Sequence, residues 1–107
     1  MVPCVISCTI NPAKVNEFRT ALNNQFLPRI QAQQGFIENI ESLDPASGQF
    51  SCLTVWNSAA DVEKYDKGLF QEIAGALGPL MQGPPTVQTL PVENSSVHHV
   101  KAGHATA

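Results

Sequence analysis

Hydrophobic residues recur along the chain at two spacings, every second residue in some segments and every third or fourth in others. In residues 4–10 every second residue is apolar, which predicts a β-strand. Asn11 and Pro12 are typical of a helix start, since asparagine caps the first turn and proline fits its first position. Pro28 predicts that this helix kinks or ends near residue 27. The apolar stripe that predicts the helix comprises Val15, Phe18, Leu22, Phe26 and Ile30.

Two further strands follow this helix. Residues 36–43 and 49–56 are rich in apolar and β-branched side chains, which predicts one strand in each segment. Residues 44–48 between them are typical of a turn, because they contain aspartate, proline, serine and glycine. The two strands are therefore expected to pair as an antiparallel hairpin.

A second helical segment and a fourth strand complete the pattern. Ser58 predicts the helix start through a capping box, and residues 66–68 interrupt the helix soon afterwards. Residues 86–92 predict the last strand, with Pro91 confining it to an edge or a strand end. The apolar residues that resume helical spacing after the interruption are Leu69, Phe70, Ile73, Leu77, Leu80 and Met81.

The predicted order of elements is βαββαβ, which is the order of the ferredoxin-like α+β fold. That fold has a four-stranded antiparallel sheet with its helices on one face. The strands carry apolar residues on both faces, for example Val5 and Ile6 in the first strand. A monomer would expose one of these faces to water, so we expect a homodimer whose subunits meet through the open sheet face.

Length and composition restrict the class of protein. The 107 residues suit one domain, which we place at residues 1–93, whereas residues 94–107 lack periodicity and predict a flexible tail. A net charge of −3 with scattered basic residues argues against nucleic-acid binding. The chain lacks an apolar run long enough for a membrane span and lacks a secretory signal pattern, so we expect a cytoplasmic protein without a membrane partner. Its three cysteines are expected to be reduced.

Several short stretches resemble the antibiotic biosynthesis monooxygenase domains of the dimeric α/β-barrel superfamily. The resemblance covers residues 4–93 and implies a dimeric α/β barrel. It further implies a cofactor-independent monooxygenase that acts on an aromatic, polyketide-like or quinol small molecule. The stretches that carry it are Asn11–Lys14, Gln34–Phe36, Val55–Ser58 followed by Val62–Tyr65, and Leu80–Pro85.

The resemblance also implies which residues form the site. Trp56 ends strand three and Tyr65 lies on the second helix, so both are candidates to face the substrate, with Asn57 beside them. Each residue type also suits a structural role: tryptophan in the core, tyrosine at the core boundary and asparagine in the turn. The expected substrate pocket comprises Phe18, Leu22, Arg29, Phe36, Phe70 and Ile73.

The chain departs from the cofactor-binding relatives of this superfamily. The heme-degrading branch uses an asparagine in strand one, a tryptophan and a histidine. Here strand one has Ser7, the tryptophan position holds Tyr65, and residues 69–81 contain no histidine. No glycine-rich phosphate loop follows a strand. The histidines lie in the predicted tail, where they are weak evidence for a metal, so we expect neither cofactor nor metal: they are His98, His99 and His104.

Two functions stay open on these residues, and an isomerase or dehalogenase-like relative on the same fold is a third option. In the first, an apolar pocket holds an electron-rich ring, and polar groups such as Tyr65, Asn57 or Arg29 stabilise its anion. In the second, the chain is a non-catalytic dimeric module that binds a small apolar ligand or a partner protein. Glu38 and Glu41 fall on opposite faces of strand two and so predict no carboxylate pair, which favours the module. A pocket with convergent polar groups indicates an enzyme, and a pocket filled by side chains indicates a module.

Overall fold

Four strands form a single antiparallel sheet in the structure, a computed structural model that describes residues 1–92. The order across the sheet is β2-β3-β1-β4, with every neighbouring pair antiparallel. This is the ferredoxin-like α+β arrangement that the element order predicts, so the fold class is confirmed. The last strand ends before residue 92 because Pro91 has no N–H with which to continue the ladder. The strands are β1 (Val2–Thr9), β2 (Phe36–Leu43), β3 (Gln49–Trp56) and β4 (Thr86–Thr89).

The connection between β1 and β2 is helical throughout but changes its winding. A short 3-10 turn at Pro12–Lys14 leads into α1 (Val15–Ala21), and α2 (Leu27–Gln31) completes the segment. Between α1 and α2 lies a π-helical turn, in which the N–H of Leu27 donates to the carbonyl of Leu22. The wider turn tolerates Pro28, which lacks an N–H and would crowd an α-helical carbonyl four residues earlier. Pro28 thus interrupts the regular α-helix, as expected, without ending the helical path.

The hairpin between β2 and β3 carries two irregularities. A β-bulge between Phe36 and Glu38 shifts the register of β2 against β3. At the other end, the turn closes on Gly48, whose φ of 79° lies in the left-handed region that favours glycine. The N–H of Ile10 donates to the Gly48 carbonyl at 2.6 Å, which ties the turn to the end of β1.

The second helical connection consists of α3 (Ala59–Lys67) and α4 (Leu69–Leu77), followed by a 3-10 turn. The Ser58 side chain accepts a hydrogen bond from the N–H of Asp61 at the start of α3, as the capping box predicts. Gly68 separates the two helices at the predicted interruption.

The helices cover one face of the sheet and enclose the core. Trp56, Phe18 and Phe26 are the largest fully buried side chains of the described residues. None of the helices in residues 1–92 is long and apolar enough to cross a membrane. The predicted tail at residues 94–107 lies outside the described residues.

The other face of the sheet points away from the helices and divides into two parts. Ile40, Leu53 and Val5 are neighbours across three strands, and Ile40 is 56% exposed. Two residues further along each of these strands, the same face carries a row of hydroxyl-bearing residues that extends to β4: Ser42, Ser51, Ser7 and Thr86. The apolar part is the surface through which a homodimer is expected, and the dimer stays a prediction.

Candidate functional site

A small cavity lies between the helices and the covered face of the sheet. Its volume is about 40 Å³. An engineered cavity of about 150 Å³ holds benzene, so a ring-sized ligand requires side chains to move here. The residues that line it are Ile6, Cys8, Phe18, Leu22, Ile30, Glu41, Phe50, Cys52, Tyr65, Phe70, Ile73, Ala74, Leu77, Met81 and Pro85. Four of the predicted pocket residues, Phe18, Leu22, Phe70 and Ile73, are therefore brought together around one space.

Tyr65 projects from α3 into the wall of this cavity. Its ring stacks on Trp56, with 4.8 Å between the centroids and 29° between the planes, and lies 6.0 Å from Phe70. Burial raises the pKa of the Tyr65 phenol above its usual value, and neighbouring thiols and Asp66 add to the shift. The phenol therefore stays protonated at neutral pH and can donate a hydrogen bond to a ligand oxygen.

Trp56 lies behind Tyr65, as seen from the cavity. It is completely buried, and its indole Nε1–H donates to Thr54 Oγ1 at 2.9 Å. The half-buried Phe36 packs edge-on against its other side, with 5.8 Å between the centroids. Neither Trp56 nor Phe36 is among the residues that line the cavity. Both support the wall that Tyr65 presents.

Asn57 and Arg29 lie outside the cavity lining. Asn57 is exposed, and its backbone N–H donates to the Gly35 carbonyl at 2.8 Å, so it belongs to the turn between β3 and α3. The Arg29 guanidinium donates to both carboxylate oxygens of Glu72, at 2.9 and 2.7 Å, and so joins α2 to α4. This contact raises the pKa of Arg29 and lowers that of Glu72.

Comparison with solved structures places this arrangement in a known fold. A monooxygenase from Streptomyces coelicolor, ActVA-Orf6, in complex with nanaomycin D superposes with a TM-score of 0.72 at 16% identity, covering 88% of each chain. A point variant of SnoaB, a cofactor-independent oxygenase from Streptomyces nogalater, superposes with a TM-score of 0.66 at 18% identity, covering 89% of this chain and 95% of that chain. The chain has the fold of the antibiotic biosynthesis monooxygenases.

A third structure extends the comparison beyond Streptomyces. A candidate antibiotic biosynthesis monooxygenase from Bordetella bronchiseptica has a TM-score of 0.69 at 17% identity, covering 85% of this chain and 95% of that chain. No protein-family model matches the sequence, and no curated protein is similar to it at the sequence level. The shared antibiotic biosynthesis monooxygenase fold therefore rests on tertiary structure.

Glu41 is a residue of this monooxygenase fold that sequence reasoning did not assign to the site. It pairs with Cys52 across β2 and β3 and lines the cavity on the covered face of the sheet. Burial raises the pKa of its carboxyl group. A sequence signal did exist, because Glu41 lies two residues before Leu43 and so shares its face. Leu43 pairs with the buried Phe50.

The three cysteines of the chain are free thiols, as expected, and two of them, Cys4 and Cys52, are buried. Burial raises the pKa of Cys52 to about 12, with smaller contributions from the charges of Glu41 and Cys4. A protonated thiol is a poor nucleophile and a poor metal ligand, so Cys52 acts as a small apolar part of the wall at neutral pH. Within residues 1–92, no three His, Cys, Asp or Glu side chains group in a way that could hold a metal ion.

A larger depression of about 740 Å³ lies at the hydroxyl-rich end of the open sheet face. Its lining includes Ser7, Ser42 and Ser51, which are neighbours across three strands, and Asp44. This depression is a shallow surface, whereas the internal cavity places titratable groups among apolar side chains, where their chemistry is altered. The internal cavity is therefore the stronger candidate site.

Proposed function

We propose that this protein is a cofactor-independent monooxygenase that oxygenates an aromatic, polyketide-like or quinol small molecule in the internal cavity. The observation that carries the proposal is the cavity itself: an apolar space whose lining includes both Tyr65 and Glu41. The likeness in fold to a monooxygenase in complex with nanaomycin D supports the same conclusion. The non-catalytic module would need neither a tyrosine nor a glutamate in the lining of this space.

The proposed chemistry needs little from the protein beyond exclusion of water and stabilisation of an anion. The aromatic and aliphatic wall shields an electron-rich ring from water, which strengthens any hydrogen bond formed inside. Tyr65 donates a hydrogen bond to the substrate oxygen on which negative charge develops. Trp56 holds the Tyr65 ring in place through the stack and does not itself touch the substrate. The resulting substrate anion reacts directly with dioxygen.

Ligand entry requires the cavity to expand. Met81 lines the cavity and is half-buried, and a methionine side chain can change rotamer at low cost. Leu22 lies at the start of the π-helical turn, a type of irregularity frequent at functional sites. We expect both side chains to shift when a ring is bound.

The active form is proposed to be a homodimer that meets through the open sheet face. The apolar neighbours Ile40, Leu53 and Val5 supply the surface. The test is light scattering after size exclusion, in which Leu53→Glu shifts the mass from dimer to monomer. Asn16→Glu adds the same charge on the exposed surface of α1 and keeps the dimer. A wild-type protein that elutes as a monomer contradicts this part of the proposal.

The function is tested with anthrone and 1,4-dihydroxynaphthalene as probes. Trp56 is the only tryptophan of the chain and stacks on Tyr65, so its fluorescence reports binding under anaerobic conditions. An oxygen electrode then measures uptake above the rate without protein. We expect quenching and uptake in the wild type, and uptake lowered about 10-fold or more in Tyr65→Phe because one hydrogen bond to the anion is lost.

The alternative, a non-catalytic ligand-binding module, is favoured by one feature. The cavity is only about 40 Å³ in volume, close to being filled by side chains. The two functions separate in the same experiment. Quenching of Trp56 fluorescence without oxygen uptake supports the module, and uptake above background supports the monooxygenase.

A further inference from the structure

We propose that Glu41 is the catalytic base that removes a proton from the substrate, and that its carboxylate restricts the site to substrates without an anionic group. This inference rests on the proposed function and adds to it the proton acceptor and the charge class of the substrate.

The position of Glu41 is the first argument. It lies on the face of β2 that the helices cover and pairs across the strands with Cys52, whose side chain also lines the cavity. Directly opposed residues of antiparallel strands have Cβ atoms about 5 Å apart, so the carboxyl group and the thiol are close neighbours. Tyr65 lines the same space from α3. Glu41 and Tyr65 thus line one space, Glu41 from the sheet and Tyr65 from a helix.

The surroundings of Glu41 are the second argument. The titratable groups that share the cavity are Cys8 on β1, Cys52 on β3 and Tyr65 on α3. Among residues 1–92, no lysine, arginine or histidine lines this cavity. Partial burial raises the pKa of Glu41, which makes its carboxylate a stronger base than one in water. A second negative charge in this apolar space would be repelled, which excludes anionic ligands.

Anthrone is a suitable substrate for this reaction, because its methylene group is a weak carbon acid. Glu41 takes one methylene proton, and Tyr65 donates a hydrogen bond to the ring oxygen that gains charge. The anion transfers one electron to dioxygen, and the resulting radical pair combines to form a carbon–oxygen bond. Glu41 returns its proton to the peroxide. It then takes the second methylene proton as the oxygen–oxygen bond breaks, and that proton joins the leaving hydroxide. One oxygen atom remains as the new carbonyl and the other leaves as water.

Proton removal is tested without oxygen, so that it is separated from oxygenation. In anaerobic D₂O buffer, the wild type should exchange the methylene hydrogens of anthrone for deuterium faster than buffer does, as followed by NMR. Glu41→Gln should lower this protein-dependent exchange about 100-fold or more, the usual contribution of a general base. Glu41→Asp should recover part of the rate, because a carboxylate is still present. Glu17→Gln, on the exposed surface of α1, is the matched control and should exchange like the wild type.

Charge selection is tested by binding, with Trp56 fluorescence as the readout. The wild type should bind neutral 1,4-dihydroxynaphthalene at least about 10-fold more tightly than 1,4-dihydroxy-2-naphthoate, which differs by one carboxylate. In Glu41→Gln this ratio should fall towards one, while the affinity for the neutral probe stays within about 3-fold. Far-UV circular dichroism confirms that each variant is folded.

The outcomes separate the two proposals. Exchange that depends on Glu41 without oxygen uptake supports the base and contradicts the monooxygenase. Oxygen uptake or exchange that is unchanged in folded Glu41→Gln overturns the base and leaves the monooxygenase standing. Loss of neutral-probe binding in that variant overturns the catalytic role, because Glu41 then supports the shape of the site. A wild type that binds and exchanges none of the probes overturns both proposals.

Discussion

Tyr65 stacks on Trp56 with 4.8 Å between the ring centroids, and this pair joins α3 to the end of β3. Trp56 is completely buried, whereas Tyr65 also lines the internal cavity. Trp56 therefore supports the Tyr65 ring from behind, whereas Tyr65 forms part of the surface that a ligand would contact.

The first prediction separates the ring of Tyr65 from its hydroxyl. Tyr65→Ala removes the stack and leaves a void, so the free energy of unfolding should fall by about 3 to 5 kcal/mol. Tyr65→Phe keeps the ring and should change stability by less than about 1 kcal/mol, since it removes only the hydroxyl. Urea titration of each variant, followed by circular dichroism, measures the difference. Equal loss in both variants would show that the hydroxyl, rather than the stack, holds α3 on the sheet.

A second prediction concerns the hydrogen bonds beneath the stack. Thr54 Oγ1 accepts from the indole N–H of Trp56 at 2.9 Å and donates to the Cys4 carbonyl at 3.4 Å. Thr54→Val keeps the shape but leaves a buried donor unpaired, so it should cost about 1 to 3 kcal/mol of unfolding free energy. Thr20→Val on the exposed surface of α1 is the control and should cost less than about 0.5 kcal/mol. If Thr54→Val and Thr20→Val lower the unfolding free energy by similar amounts in urea, a specific role for the Thr54 hydroxyl is contradicted.

The third prediction contrasts two glycines. A side chain at Gly48 would collide with the backbone carbonyl of Ile10, at a φ of +79° that disfavours other residues. Gly48→Ala should therefore destabilise the fold by about 2 kcal/mol or more. Gly75 lies within α4 and has open space around it, so Gly75→Ala should stabilise the fold by about 0.5 to 1 kcal/mol. Thermal unfolding measures both effects: the midpoint should fall in Gly48→Ala and rise in Gly75→Ala.

A fourth prediction concerns alkaline pH. Burial raises the pKa of Cys52 from 9.0 to about 12, and raises those of Cys4, Cys8 and Tyr65 as well. Between the unfolded and folded pKa values, the folded state binds more protons, so stability is fully present below pH 9 and falls as pH rises towards 12. Each such proton contributes a slope of up to about 1.4 kcal/mol per pH unit. In urea unfolding, the free energy of unfolding of Cys52→Ala should fall less steeply with pH than that of the wild type. An equal slope would contradict the raised pKa of the Cys52 thiol.

The fifth prediction applies the same linkage to Glu41. The pKa of the Glu41 carboxyl group is raised in the folded state, so this group favours the folded state when protonated, and the contribution is lost as pH rises above the ordinary glutamate pKa of 4.5. Relative to Glu41→Gln, the wild type should therefore lose stability from about pH 4.5 upwards until the carboxyl group is ionised in both states. If the unfolding free energies of the wild type and Glu41→Gln differ by a constant amount across pH 4 to 8, the raised pKa of Glu41 is contradicted.

The amino-acid sequence by itself determined the features that depend on neighbouring residues. The alternation in residues 4–10, the capping box at Ser58 and the break before Leu69 all reflect local backbone preferences. The cap and the break stand where they were predicted, and the strand predicted at residues 4–10 is observed at Val2–Thr9. The element order then leaves few topologies, so the ferredoxin-like sheet followed from local signals alone.

Only the tertiary structure decided which side chains meet. The bulge in β2 and its register against β3 bring Glu41 opposite Cys52, inside the cavity. The alternation along β2 indicates the face on which Glu41 lies but not its partner on β3. Trp56 ends behind Tyr65 rather than in the cavity wall, and Arg29 turns to Glu72 on another helix. These outcomes depend on contacts between elements far apart in sequence, where packing volume and strand register decide, and local patterns carry no information about either.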